Sequence, residues 1–390
     1  MKIASIIAEY NPFHRGHVYQ IQKIKSEYSD FIVVIMSGNF VQRGEPAIIN
    51  KFERAKIAVD KGASLVLELP LYYATSNAEI FARGGITILN SMEIIDRLYF
   101  GSEDDASTLK NLSEKIYKNL DDEKIKKFLA EGNSYIKSRE LAMDFLSQKE
   151  KEILKKPNNI LGLEYIKNLE KLNSKIEAHS MPRKNVNHKD DFALEGFASA
   201  SHIRKLAYRG EDVASFLPGY DLVVENKLEN YFEIFKYKML AGKINFTDYF
   251  DYEVGLENRI LENLDSKNFE ELIEKVHSKR HSRSRIKRLV LEILLDIKKD
   301  SIKKSFEAPY TRVLACDERG IEILKKSKNK NKIYSFKSFY DKSIGITKEM
   351  LDKEILASDL YNIKSGKIKT DFTREVYKKW LYNICWGVNL

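Results

Sequence analysis

Short apolar runs punctuate the first hundred residues: Ile3–Ala8, Phe31–Met36, Ser64–Leu69 and Arg97–Gly101. Most are rich in Ile, Val or Leu without clean alternation, as in strands covered on both faces. Between them lie stretches with helical spacing, His17–Tyr28, Lys51–Lys61 and Ala78–Ile95. Strand alternating with helix predicts an α/β fold, a parallel sheet joined by right-handed crossovers. Its ligand belongs beyond the carboxyl ends of the strands. From Asp104 to Lys156 the chain turns polar and Lys/Glu-rich, which predicts a helical insertion over about 104–156. The pattern then predicts a helix over Asn159–Leu172, a strand over Lys175–Ser180, a loop over 182–195 and a helix over Ser199–Arg209. Beyond Pro218-Gly219 it is mostly helical, with long Lys-rich amphipathic stretches. The expected organisation is a Rossmann-like parallel-sheet domain over 1–215 and an all-α domain over 216–390.

Length and charge add to this picture. A chain of 390 residues exceeds one ordinary core, in agreement with two domains. The net charge of +9 makes a polyanionic partner plausible, although many Lys-rich proteins share it without binding nucleic acid. Cys316 and Cys385 have no ligand-like spacing, which argues against a disulfide framework or structural zinc and fits a reducing compartment. The first strand leaves no room for a signal peptide, and no apolar run approaches the roughly 20 residues that span a bilayer. A cytoplasmic protein with no membrane partner is expected.

Candidate chemistry begins where the first strand ends. Glu9-Tyr10-Asn11-Pro12-Phe13-His14-Arg15-Gly16-His17 places two histidines three apart at a helix start. They would share one face of the first turn, where unpaired N–H groups and the helix dipole attract phosphate. Two imidazole N–H donors stabilise the charge that builds as the α-phosphate of ATP is attacked. The plainer alternative is a helix start that merely contains two histidines; a metal pair lacks a nearby third ligand.

Four further segments carry weaker signals. Ala198-Ser199-Ala200-Ser201-His202-Ile203-Arg204-Lys205 offers hydroxyls that cap a helix and face phosphate, with Arg204 and Lys205 as cations. Alone it reads equally as an ordinary Ser cap. The loop Met36–Pro46, with Gln42 and Arg43, is either a second-substrate loop or a structural turn. Phe100–Glu103 and Pro157–Gly162 could set Gly101 and an asparagine against the nucleotide, or could be turns. The run Lys279, Arg280, Arg283, Arg285, Lys287, Arg288 is free of Asp and Glu over its own window and falls on an expected helix, with Arg280, Arg283 and Lys287 on one face. It is the candidate RNA surface, against the alternative of a solvated helix face.

With these residues in view, Asn11–His17 resembles the HxGH motif of the nucleotidyltransferase superfamily. Ser199–Arg204 resembles its second phosphate motif, with Ala198 where Ile is common. The combination with Met36–Pro46, Glu68-Leu69-Pro70, Ile80–Gly84, Phe100–Glu103, Pro157–Gly162 and Ala308-Pro309-Tyr310-x-Arg312 resembles the bacterial tRNA(Met) cytidine acetate ligase family across essentially the whole chain.

That resemblance implies an enzyme that joins acetate to ATP as acetyl-adenylate and passes the acetyl group to N4 of the wobble cytidine of elongator tRNA(Met). It implies His14, His17, Ser201 and Arg204 as catalytic residues. An ATP site follows at Ile7, Ala8, Glu9, Tyr10, Asn11, Pro12, Phe13, His14, Arg15, Gly16, His17, Val18, Tyr19, Gln20, Gly101, one of Asn158 and Asn159, Arg183, Ser199, Ser201 and Arg204. Mg²⁺ would accompany the phosphates. The rivals are an adenylyltransferase for a small phosphorylated cofactor precursor and a non-catalytic RNA-binding protein.

Overall fold

A computed structural model describes residues 1–133, 135–182, 197–278, 280–368, 370–373 and 376–379. The chain divides into two compact units, Met1–Asp96 with Asn185–Leu390, and Arg97–Lys184. Residues on both sides of position 215 lie in the first.

The first unit is built on β1 (Ile3–Ala8), β2 (Phe31–Ser37), a ribbon of β3 (Phe40–Val41) with β4 (Glu45–Pro46), and β5 (Leu65–Leu69). The strands β1, β2 and β5 are parallel, with Ile6 beside Val34 and Val34 beside Val66. Ile3, Val33, Val34, Ile35, Leu65 and Leu67 are wholly buried, so both faces are covered as their unbroken apolar runs require. The intervening helices start where capping side chains stand. His14 caps Arg15–Glu27, Asn50 caps Lys51–Asp60 and Asn77 caps Ala78–Ser91.

The second unit pairs β6 (Arg97–Ser102) with β7 (Glu177–Pro182) in parallel. Its helices Ala106–Asn119, Asp122–Ala130, Tyr135–Ala142 and Gln148–Ile153 make up the expected helical insertion. In Pro157–Lys171, bare Gly162 lies against the Phe100 ring, where a Cβ would come within 2.7 Å.

The C-terminal half is predominantly helical but not all-α. It returns β8 (Thr311–Asp317) to the first unit's sheet, with β9 (Lys332–Ile333) and β10 (Tyr377–Lys379) at its side, in the order β10-β8-β5-β2-β1. The β8 strand runs antiparallel to β5, and every one of its residues is buried. Its charged positions hide a strand from a reading based on apolar runs. Arg312 is buried because Glu68 (3.2 Å) and Asp371 neutralise it. Lys51 joins them at 2.8 Å from both carboxylates. Beside this cluster Glu354 accepts from Leu71 N–H (2.6 Å) and the Tyr310 hydroxyl (3.1 Å). Burial and the Glu68 carboxylate push its carboxyl up to about 8.

Candidate active site

The histidine motif closes on itself. Gly16 N–H donates to His14 Nδ1 (3.1 Å), and His14 N–H donates to His17 Nδ1 (3.1 Å). This reciprocal cap satisfies two of the helix's orphan N–H groups. It also fixes chemistry: a nitrogen accepting from a backbone N–H carries no proton, so each neutral ring bears its proton on Nε2. The two rings stack with centroids 3.8 Å apart. Gly16 is required here, since a Cβ would sit 2.8 Å from the His14 ring.

The turn before the helix is held from several sides. Tyr10 adopts φ +50°, a left-handed conformation that an aromatic residue takes only under constraint. Its buried ring packs against Phe13 (4.7 Å) and His17 (4.6 Å). The Asn11–Pro12 peptide is cis. Asn11 Oδ1 accepts from Ile48 N–H (2.8 Å), while its buried Nδ2 has no hydrogen-bond partner among the described residues. The Tyr220 hydroxyl donates to Phe13 O (2.6 Å), and burial raises its pKa, keeping it a donor. Arg54, fully buried, donates to Glu9 O (2.6 Å), Ser37 O (3.1 Å), Ile49 O (2.9 Å) and Gly38 O. One guanidinium thereby ties the ends of β1 and β2 together.

The serine–arginine motif meets this turn. Ser199 caps the helix Ala200–Tyr208, accepting from His202 N–H (3.2 Å). Ser201 Oγ accepts from Arg43 (3.1 Å) and Arg204 (3.4 Å). Buried Arg204 donates to Asn11 O (2.7 Å) and lies 3.5 Å from Glu45. Thus Arg204 links Ser201 to Asn11, in the turn that leads into the His14–His17 pair. Arg15, Val18 and Tyr19 leave on another face of the helix and, with Phe197, Leu217 and Pro218, line a groove of about 380 Å³. Ile7 and Ala8 end β1, Glu9 accepts from Gln42 N–H (3.0 Å), and Gln20 is half-buried.

In the second unit, Gly101 lies on β6. Asn159 is buried, accepting from Glu103 N–H (3.0 Å) and Asp104 N–H (3.2 Å) while donating to Asp104 (2.7 Å) and Ile153 O (3.2 Å). Half-buried Asn158 donates to Glu103 (2.6 Å). Arg183 and Lys279 lie outside the described residues.

The basic run needs correction on two points. Its helix is Arg283–Leu295, capped by Ser282, so Arg280 precedes the helix and shares no face of it. Nor is the charge uncompensated, because acids distant in sequence fold onto it. Arg280 and Arg285 pair with Glu253, Arg283 with Glu270 and Glu274, Arg288 with Asp251, and Lys287 with Glu45. Arg280 and Arg283 keep 47% and 39% of their side chains exposed, whereas Arg288 keeps 13% and is a packing residue. Sequence reasoning gave no role to Arg54, Tyr220 or Glu45.

A family model for HIGH nucleotidyl transferases matches residues 1–375. A tRNA(Met) cytidine acetate ligase of Caldicellulosiruptor saccharolyticus is 38% identical over 380 residues, covering 93% of this chain and 94% of that one. The chain belongs to this family. A second member, from Clostridium botulinum strain Langeland, is 35% identical over 95% of this chain and 96% of its own. Among solved structures, apo Thermotoga maritima TmcAL superposes with TM-score 0.87 at 29% identity over 97% of this chain and 100% of that one. The same protein bound to alpha-thio ATP gives 0.84 at 30% identity, with the same coverage. Membership accounts for the motifs' co-occurrence along one chain.

Proposed function

We infer that this protein is an ATP-dependent tRNA(Met) cytidine acetate ligase. The observation that carries the reading is the reciprocal His14–His17 cap, which sets both imidazoles as Nε2–H donors just after the turn whose Asn11 carbonyl holds Arg204. An acetate oxygen attacks the α-phosphorus of ATP; the bond to the β-phosphate oxygen breaks, and pyrophosphate leaves. The histidine N–H groups, the unpartnered Asn11 Nδ2 and Arg204 stabilise the charge on the phosphate oxygens. The cytidine N4 then attacks the acetyl carbonyl carbon; the bond to AMP breaks, and N4 gives up a proton. Activation is needed because acetate is a poor acyl donor and the exocyclic amine a weak nucleophile. Position supplies much of the second step.

Gly101, one of Asn158 and Asn159, and Arg183 are the nucleotide contacts that the family resemblance implies in the second unit, where both asparagine amides also bond to Glu103 or Asp104. Mg²⁺ would accompany the triphosphate and neutralise part of its charge, needing few protein ligands. Residues 1–215 carry the chemistry and 216–390 the RNA contacts, with Arg280 and Arg283 the most exposed of the basic run's described residues. Among the described residues no helix is long and apolar enough to cross a membrane. We infer a cytoplasmic reaction, where the proposed substrates ATP and tRNA are available.

The test is ATP–pyrophosphate exchange without RNA. Exchange that rises with acetate supports the reading. Exchange that ignores acetate but responds to a phosphorylated cofactor precursor would sink it.

A further inference from the structure

We propose that Glu45 is a positioning residue for Arg204 and that, through Lys287, it ties the serine–arginine motif to the helix carrying the basic run. The inference rests on the functional reading above but concerns a contact that the reading does not use. Glu45 stands on β4 and divides its carboxylate: Oε2 lies 3.5 Å from Arg204, and Oε1 accepts from Lys287. The Arg204, Glu45 and Lys287 side chains are 7%, 19% and 20% exposed, so the chain of charges is shielded from the water that weakens surface pairs.

The backbone seats this bridge. Gly44, at φ +76°, presses on the helix Arg283–Leu295, where a Cβ would come within 2.5 Å of Arg288 N and 2.6 Å of Lys287 C. Only glycine permits both that conformation and that approach. The ribbon is thereby docked on the helix, and Glu45 can reach Lys287 without searching for it.

Other groups around Glu45 define its state. Arg43, whose guanidinium donates to Ser201, adds a third cation, and the Tyr208 phenol lies nearby. Burial raises the Glu45 carboxyl, but Lys287, Arg204 and Arg43 more than offset this and hold it below the ordinary range. It is an anion at working pH. An anion beside Arg204 opposes phosphate binding electrostatically while fixing where the guanidinium sits. Removing the anion relieves that repulsion but frees Arg204, effects of opposite sign on nucleotide affinity, so the net loss falls on turnover. Lys287 acts one step further back: it does not pair with Arg204, yet its charge sets how firmly Glu45 is held.

Two readouts on the full chain test this. In the first, the Arg204 Nε–H signal, identified by its loss in Arg204→Lys, is followed by nitrogen–proton NMR. Lys287→Met should move that signal; an unmoved signal overturns the tie to the helix whether or not acetate is the substrate. In the second, exchange turnover is compared with calorimetric binding of a non-hydrolysable ATP analogue. Glu45→Gln should lower kcat about tenfold while analogue Kd stays within about twofold, Glu45→Asp should recover part of the loss, and adding Lys287→Met to Glu45→Gln should cost nothing further. Unchanged kcat, affinity falling in step with kcat, or additive losses in the double variant would each overturn the positioning role. Absence of acetate-dependent exchange in the parent would defeat the acetate reading alone, leaving the NMR result to decide this inference.

Discussion

Two backbone amides decide which nitrogen of each histidine carries its proton, and this detail separates catalysis from stability at one residue. His14 is both the cap of its helix and a candidate phosphate donor. Alanine there should remove both roles, lowering exchange by about 100-fold or more and stability by about 1 kcal/mol. Asparagine caps well but presents no imidazole. His14→Asn should therefore regain the thermal midpoint without regaining the rate, as melting curves beside exchange kinetics would reveal; recovery of both would leave His14 a structural residue. The histidines and Ser199 were legible in the sequence because spacing and capping are local. The left-handed turn at Tyr10 and the Arg204–Glu45 contact were not, since they depend on partners more than a hundred residues away or on packing that spacing does not encode.

At the scale of elements, β1, β2 and β5 announce themselves as unbroken apolar runs, and their observed bounds differ from expectation by a residue at most. The β8 strand does not. Its arginine reads as surface until Lys51, Glu68, Arg312 and Asp371 are seen to neutralise one another inside the protein, and its Asp317 until Arg319 is seen to pair with it. Glu354 supplies a pH test of that interior. Its folded pKa of about 8 lies above its ordinary value, so the folded state holds the proton longer than the unfolded state. The group's stabilising share is complete at pH below the ordinary carboxylate range and is lost as pH rises through about 8. Denaturation of the parent at pH 6 and pH 9 should give a larger decline than in Glu354→Gln, which keeps a neutral acceptor throughout. Equal declines would place the ionisation elsewhere.

For the whole molecule, net charge was an incomplete guide. The chain carries +9, yet its densest basic run is met by Glu45, Asp251, Glu253, Glu270 and Glu274 once folded. A sequence window counts charges along the chain, whereas RNA meets charges across a surface. The exposed Arg280 and Arg283 are the members of the run best able to exchange an acid for a phosphate. Replacing both with Gln should raise the KM for tRNA several-fold and flatten the salt dependence of transfer, while RNA-free exchange is unaffected. Parallel loss of both activities would argue against an RNA role for this helix. The central claim is that ATP is spent to place acetate on one cytidine. Its most direct measurement is transfer of radiolabelled acetate to two elongator tRNA(Met) transcripts, one with cytidine and one with uridine at the wobble position. The expected result is stable label on the cytidine transcript, dependent on ATP, and none on the uridine one. Label on both, or label without ATP, would contradict the account.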